Sequence, residues 1–147
     1  MIKKILIATD GSESAEKAAS FAVDMASQLN CELFVISVVE SDILAMELQD
    51  VYMDLRDTLL ADLRQESQEA IDRIARIAKQ KGIEIKGKVA EGKPAQEIIK
   101  TAQEENADLI MVGSHGKTGI LSYVMGSVTA KLLNSKLTCP ICVVQAG

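Results

Sequence analysis

The chain has 147 residues, of which 48% are hydrophobic and 25% charged, and its formal net charge at pH 7 is −5. This length and the lack of low-complexity tracts predict one domain over residues 1–147, while the acidic balance argues against a nucleic-acid partner, which requires a basic face. No apolar run is long enough to span a membrane, and Met1 leads directly into a strand-like run without a signal-peptide pattern, so we expect a cytoplasmic protein.

The first part of the chain alternates between strand-like and helix-like patterns. The apolar run 2–9 is predicted to be a strand buried on both faces. Asp10-Gly11-Ser12 breaks this strand and caps a helix, because apolar residues recur at helical spacing from Ala15 to Leu29. A second buried strand is predicted at 33–39. The stretch from Glu40 to about Asp54 has no clean period and favours a mobile segment or a short helix.

The second half continues the alternation. A long helix over 55–77 is stopped by Gly82, and Pro94 occupies the first position of the next helix. The other predicted elements are a strand at 83–90, a strand beginning at 109, a helix at about 127–134 and a closing strand at 141–144. Such β-α alternation requires right-handed crossovers and therefore predicts an α/β fold, a five-stranded parallel sheet with helices on both faces.

The most informative motif follows the apolar run 109–112, which is predicted to be a buried strand. It consists of Gly113-Ser114-His115-Gly116, nine further residues and then Gly126-Ser127. Glycine lets the backbone approach an anion closely, and the amides of a helix's first turn point towards it. The spacing fits neither GxxxxGK[ST] nor a dinucleotide fingerprint, so it favours a mononucleotide site. The alternative is that Gly113 and Gly116 are ordinary turn residues.

Four side chains around this motif have two interpretations each. Ser127 is either a helix N-cap or a phosphate ligand, since both occupy the same place. Thr129 either adds a hydroxyl for the ligand or is a helix-surface residue. Lys117 either offsets phosphate charge or is a solvated surface charge. His115, the only histidine, is favoured as a loop contact over a general base.

Ligands of open parallel sheets bind beyond the carboxyl ends of the strands, where the winding direction reverses. The loop at Asp10 follows the first strand, and the loop from Gly113 to Ser127 follows the fourth. If these strands are neighbours, both loops border one crevice and the strand order is 3-2-1-4-5. Asp10 is then either a helix cap or a ligand group for a ribose hydroxyl, for adenine or for a metal bound to phosphate.

The three cysteines are predicted to be structural. Cys139 and Cys142 form a CxxC pattern, but redox chemistry requires the first thiol to be exposed at a helix N-terminus. This segment is predicted to be a strand, in which residues three apart face opposite sides. Cys31 lies just before a predicted strand, and no motif around it indicates a function.

Together, these motifs resemble the universal stress protein family, and the resemblance covers essentially the whole chain. The matching segments are Asp10-Gly11-Ser12-x-Ser14, the glycine motif with Lys117-Thr118-Gly119, Gly126-Ser127-Val128-Thr129 and the segment from Cys139 to Val144. Nucleotide-binding members of the family share G-x2-G-x9-G-[ST], which this sequence matches, whereas the other branch lacks that spacing. Many ATP-binding members have proline where this chain has Ala8.

The resemblance implies a Rossmann-like domain of strand order 3-2-1-4-5 that binds ATP, with Mg²⁺, and forms a homodimer through its last strand. By position, Asp10 and the backbone of Val38 would lie at the nucleoside, and the glycine loop with Ser127 at the phosphates. Asp10 would also help to hold the metal, together with the phosphates. The nucleotide-binding residues that the resemblance predicts are Ala8, Thr9, Asp10, Val38, Met111, Gly113, Ser114, His115, Gly116, Gly126, Ser127, Val128 and Thr129.

The sequence favours an ATP-binding regulatory protein over an efficient ATPase. The loop supplies amides, hydroxyls and one lysine, which bind ground-state phosphate about as well as a transition state and therefore do not accelerate hydrolysis. Two alternatives stay open. One is a slow ATPase or phosphotransferase that uses Asp10, His115 and Mg²⁺; the other is an interaction scaffold that binds no nucleotide.

Overall fold

The computed structural model describes residues 1–40, 53–115 and 126–145, with the backbone alone at 53 and 54. Its strands are β1 (Lys4–Ala8), β2 (Glu32–Val39), β3 (Ile85–Glu91), β4 (Leu109–Gly113) and β5 (Ile141–Val144). Its helices are α1 (Glu13–Leu29), α2 (Met53–Gln80), α3 (Pro94–Glu104) and α4 (Ser127–Leu133). These elements confirm the predicted β-α alternation.

The five strands form one parallel sheet in the order β3-β2-β1-β4-β5, which confirms the order predicted from the ligand-suited loops. In the centre of the sheet, Ile7 of β1 lies opposite Val35 of β2 and Met111 of β4. The winding direction reverses between β1 and β4. The loops that follow these two strands therefore open at the switch point of the sheet, as ligand loops do in this fold class.

Helices cover both faces of the sheet, because alternate residues of each strand point to opposite sides. On one face, Ile5, Ile7 and Val35 pack against α1 and α2. On the other face, Leu6, Ile36 and Ile110 pack against α3 and α4. All six side chains are fully or almost fully buried, as the near-continuous apolar runs of the strands predict.

The ends of some elements differ from the sequence-based prediction. β3 begins at Ile85 rather than Ile83, because the N–H of Ile83 donates to Ala78 O and closes the end of α2. Gly82 adopts a φ of +72° in this cap, which glycine reaches without strain. Most of the stretch predicted as a mobile segment or short helix, together with Gly116, Lys117, Thr118 and Gly119, lies outside the described residues.

Cys142 lies in β5, as predicted, whereas Cys139 lies before the strand rather than within it. Cys139 packs with the cluster under α3 and α4, whereas Cys142 packs with the cluster under α1 and α2, so the two thiols lie on opposite faces of the sheet. Burial raises the pKa values of Cys31 and Cys139, which disfavours a reactive thiolate. All three are free thiols. Within the described ranges, none of the helices combines the length and apolar composition that a membrane span requires.

Candidate functional site

A cleft of about 510 Å³ lies at the carboxyl ends of β1, β2 and β4. This volume is within the range of roughly 300–1,000 Å³ that is typical of small-molecule sites. Its apolar side chains include Ile36, Val38, Ile98 and Val112, which all belong to the cluster on the face covered by α3 and α4. Its polar groups come from the two loops at the switch point. The cleft therefore has an apolar wall and a polar edge.

Ten of the thirteen predicted nucleotide-binding residues line this cleft: Ala8, Thr9, Asp10, Val38, Gly113, His115, Gly126, Ser127, Val128 and Thr129. Two others lie behind the lining. The side chain of Met111 is fully buried in the core beside α1, and Ser114 is 4% exposed. Gly116 lies outside the described residues. The structure thus brings the two predicted loops together around one space.

Asp10 shapes the loop that follows β1 but does not cap α1. Its Oδ1 atom accepts a hydrogen bond of 2.9 Å from the N–H of Ser12, which tightens the turn. Ser12 is the N-cap, because its Oγ atom accepts the N–H of Ala15 at 3.1 Å. The interpretation of Asp10 as the helix cap is therefore wrong. The exposed carboxyl group of Asp10 lies at the edge of the cleft.

Gly113 ends β4 at a point where α1 passes very close to it. A Cβ atom at position 113 would lie 2.5 Å from Ser14 Oγ and 2.7 Å from the backbone carbon of Ser14. Glycine is required here because only a residue without a side chain fits between the strand and the first turn of α1. This contact brings the loop after β4 directly against the loop after β1.

The segment after Gly113 is tied to three neighbouring elements. The N–H of Ser114 donates to Val144 O of β5 at 3.0 Å, and Ser114 O accepts the N–H of Gly126 at 2.7 Å. The N–H of His115 donates to Ser14 Oγ at 3.2 Å, while the His115 ring has its Nδ1 atom 2.7 Å from Ser114 Oγ. These bonds hold the imidazole at the cleft, where the sequence predicted a loop contact.

α4 begins at the far side of the same loop. Gly126 is its N-cap residue, with a φ of −60° and a ψ of 152°, and among the described residues no side chain caps this helix. Ser127 is the first helical residue and is exposed, so its interpretation as the N-cap is wrong. Thr129 is buried and donates its hydroxyl hydrogen to Gly113 O at 2.8 Å. The interpretation of Thr129 as a helix-surface residue is therefore also wrong.

Several lining residues were not predicted from the sequence. α2 contributes Leu63, Glu66 and Ser67, and α3 contributes Pro94 and Ile98. Pro94 was predictable from the sequence as a lining residue, because it follows the carboxyl end of a strand in a parallel sheet. The three α2 residues were not, because their position depends on how the long helix crosses the sheet.

The charges at the cleft are acidic. Among the described lining residues, Asp10, Glu40 and Glu66 bear carboxylates, and neither lysine nor arginine occurs. In the described part of the chain, no group of three or more His, Cys, Asp or Glu side chains is arranged to hold a metal ion.

Comparison with known proteins places this chain in one family. The sequence profile of the universal stress protein family matches residues 1–145. Universal stress protein MJ0531 of Methanocaldococcus jannaschii is 33% identical over 146 residues, covering 99% of this chain and 83% of that protein. The solved structure of hypothetical protein MJ0577 of the same organism has a TM-score of 0.84 and 29% identity, covering 100% of this chain and 98% of that one.

Two more distant structures share the fold. One is a universal stress protein in complex with cAMP, with a TM-score of 0.67, 21% identity and coverage of 97% of this chain and 96% of that one. The other is the universal stress protein from Archaeoglobus fulgidus in complex with dAMP, with a TM-score of 0.68, 18% identity and coverage of 98% of each chain. With a profile match along nearly its whole length and a similar sequence in MJ0531, the chain belongs to the universal stress protein family.

Proposed function

We propose that this protein binds ATP in the cleft at the carboxyl ends of β1, β2 and β4 and acts as a nucleotide-dependent regulatory protein. The observation that carries the proposal is the meeting of Gly113 and Gly126, the described glycines of the G-x2-G-x9-G-S motif, with Asp10 at the switch point of the sheet. Structures of two universal stress proteins in complex with cAMP and with dAMP support an adenine nucleotide as the ligand class.

The two sides of the cleft suit the two parts of a mononucleotide. The apolar wall, with Ala8, Val38 and Ile98, would bury the base. Asp10 would accept hydrogen bonds from ribose hydroxyls. At the other end, the backbone of Gly126 and Ser127 begins a helix without a side-chain cap among the described residues, and its first-turn amides suit phosphate oxygens.

Mg²⁺ is expected to accompany the nucleotide. The carboxylates of Asp10, Glu40 and Glu66 would repel an uncomplexed triphosphate, and the metal's charge offsets this repulsion. The donor set fits a metal held by phosphate oxygens together with Asp10, since Mg²⁺ prefers carboxylate and phosphate oxygens and keeps several waters. The metal would supply charge neutralisation on the phosphates.

Titration calorimetry with purified protein and ATP, in the presence and the absence of Mg²⁺, tests the proposal. We expect saturable heat at one site per chain and tighter binding with Mg²⁺. A thermal unfolding scan gives an independent readout, because a ligand that binds only the folded state raises Tm. The lack of both heat and a Tm shift at millimolar ATP would instead favour an interaction scaffold that binds no nucleotide.

A second candidate function is slow phosphoryl transfer, which the contact between His115 Nδ1 and Ser114 Oγ favours because it orients an imidazole at the cleft. We nevertheless expect phosphate release far below ordinary enzyme rates of about 1 per second, because the lining binds ground state and transition state alike. A steady-state phosphate-release assay on the wild type and His115→Ala measures this. Turnover at enzyme rates that disappears in the variant would establish the enzyme and refute the purely regulatory function.

We also propose a homodimer that forms through β5. β5 is the last strand in the sheet order. Pro140 O, just before β5, accepts the N–H of Ile110 in β4, and Val144 O accepts the N–H of Ser114, just after β4. Bonding direction alternates along a strand, so the N–H groups of Ile141 and Val143 point away from β4, to the outer edge of the described sheet. An apolar strand with such an edge readily pairs with another chain.

Replacing Val143 by proline is expected to convert the dimer to a monomer. Proline removes the outward N–H but keeps the ladder with β4, because position 143 does not donate to that ladder. Val143→Thr is the matched control, since it keeps the N–H and the β-branched shape. Light scattering at high micromolar concentration measures the mass, and a Val143→Pro dimer or a monomeric wild type would contradict the proposal.

A further inference from the structure

The first turn of α1 holds the backbone of the loop that follows β4. Ser14 is 4% exposed, and its Oγ atom accepts the N–H of His115 at 3.2 Å. Ser12, two residues earlier, has its Oγ atom 3.5 Å from His115 O. The N–H and the C=O of His115 thus both face serine hydroxyls at the start of α1, although the two segments are about a hundred residues apart.

Ser14 is placed to act on the cleft without touching its contents. It lies behind the lining, whereas His115, whose amide it holds, is part of the lining. Ser14 also packs directly against Gly113, where its Oγ atom would be 2.5 Å from an added Cβ atom. The hydroxyl therefore fixes the point at which the glycine loop leaves β4.

The two serines differ in what else they do. Ser12 also caps α1 through the N–H of Ala15, so its replacement would weaken the helix as well as the loop contact. Ser14 is already within the helix, and its side chain makes the contact to His115. Ser14 is therefore the cleaner probe of the contact between the two loops.

We infer that Ser14 is a positioning residue for the phosphate end of the nucleotide site: its hydroxyl holds the His115 amide and thereby sets the backbone from Gly113 to His115, where Ser114 O accepts the N–H of Gly126, for phosphate binding. This inference rests on the proposed function. In that proposal, Val38 of β2 and Asp10 bind the base and the ribose, whereas His115 belongs to the loop after β4 that binds the phosphates. Loss of the Ser14 hydroxyl should consequently weaken binding of the phosphates and leave binding of the nucleoside almost unchanged.

The test compares Ser14→Ala with the wild type in titrations with Mg-ATP and with adenosine. We expect the Kd for ATP to rise about tenfold, the upper part of the range that loss of one hydrogen bond produces, and the Kd for adenosine to change less than twofold. Hydrogen exchange of the His115 amide in the protein without nucleotide should become faster in Ser14→Ala.

Ile74→Val is the matched control, because it removes a methylene from a fully buried core residue remote from the loops and lowers stability without touching the cleft. Its Kd values should equal those of the wild type. An ATP affinity of Ser14→Ala within twofold of the wild type would overturn the inference while leaving the proposed function intact, as would equal weakening of ATP and adenosine. Failure of the wild type itself to bind ATP would instead overturn the proposed function, and this inference with it.

Discussion

Replacement of Gly126 by aspartate is expected to abolish ATP binding while the protein stays folded. The φ of −60° and the ψ of 152° at Gly126 are accessible to any residue, and aspartate is a preferred N-cap. The new carboxylate would stand where the proposal places phosphates. Two unit charges about 4 Å apart repel by about 4 kcal/mol at an effective dielectric constant of about 20, which corresponds to a roughly thousandfold loss of affinity.

Gly126→Asn is the matched control for this substitution. Asparagine has nearly the same size and also caps helices, so it competes for the same amides without adding charge. We expect titration calorimetry to show at least tenfold weaker ATP binding for Gly126→Asp than for Gly126→Asn. Chemical unfolding should give both variants a free energy of unfolding that is no more than roughly 0.5 kcal/mol below that of the wild type. Equal ATP affinities in the two variants would contradict the placement of phosphates at Gly126.

The strand order could be predicted from the sequence because two loops carry residues that suit the same kind of ligand. Asp10 and the segment from Gly113 to Ser127 both suit a nucleotide, and only the adjacency of β1 and β4 places them at one crevice. The structure has this adjacency, with Ile7 opposite Met111. The start of β3 was predicted two residues too early, because the apolar Ile83 belongs to the cap of α2 through its bond to Ala78 O.

The site was predictable where a single segment determines it and not where two segments meet. Glycine spacing is a local property of the chain, so the positions of Gly113 and Gly126 could be predicted. The buried bond from Thr129 to Gly113 O joins residues of different elements, and a helical pattern does not reveal it. The same holds for Leu63 and Ser67, since the face that α2 turns to the cleft depends on its crossing of β2 and β3.

A methyl group at Gly113 is expected to lower the stability of the protein substantially. Its Cβ atom would lie 2.7 Å from the backbone carbon and 2.8 Å from the carbonyl oxygen of Ser14, as well as 2.5 Å from Ser14 Oγ. Rotation of the Ser14 side chain relieves only the last of these contacts. The remaining two require α1 or the end of β4 to move, and both are anchored in the buried core.

We therefore expect Gly113→Ala to lower the free energy of unfolding by about 2–3 kcal/mol, the upper part of the usual range for overpacking a buried site. Gly126→Ala is the control, because its backbone is already in a region that alanine adopts, and it should lose no more than about 1 kcal/mol. Urea unfolding of the three proteins measures the difference. Adding Ser14→Ala to Gly113→Ala should restore only part of the loss, since the contacts with the Ser14 backbone persist. Complete recovery in the double variant would show that the hydroxyl, rather than the close approach of α1 to β4, requires glycine at this position.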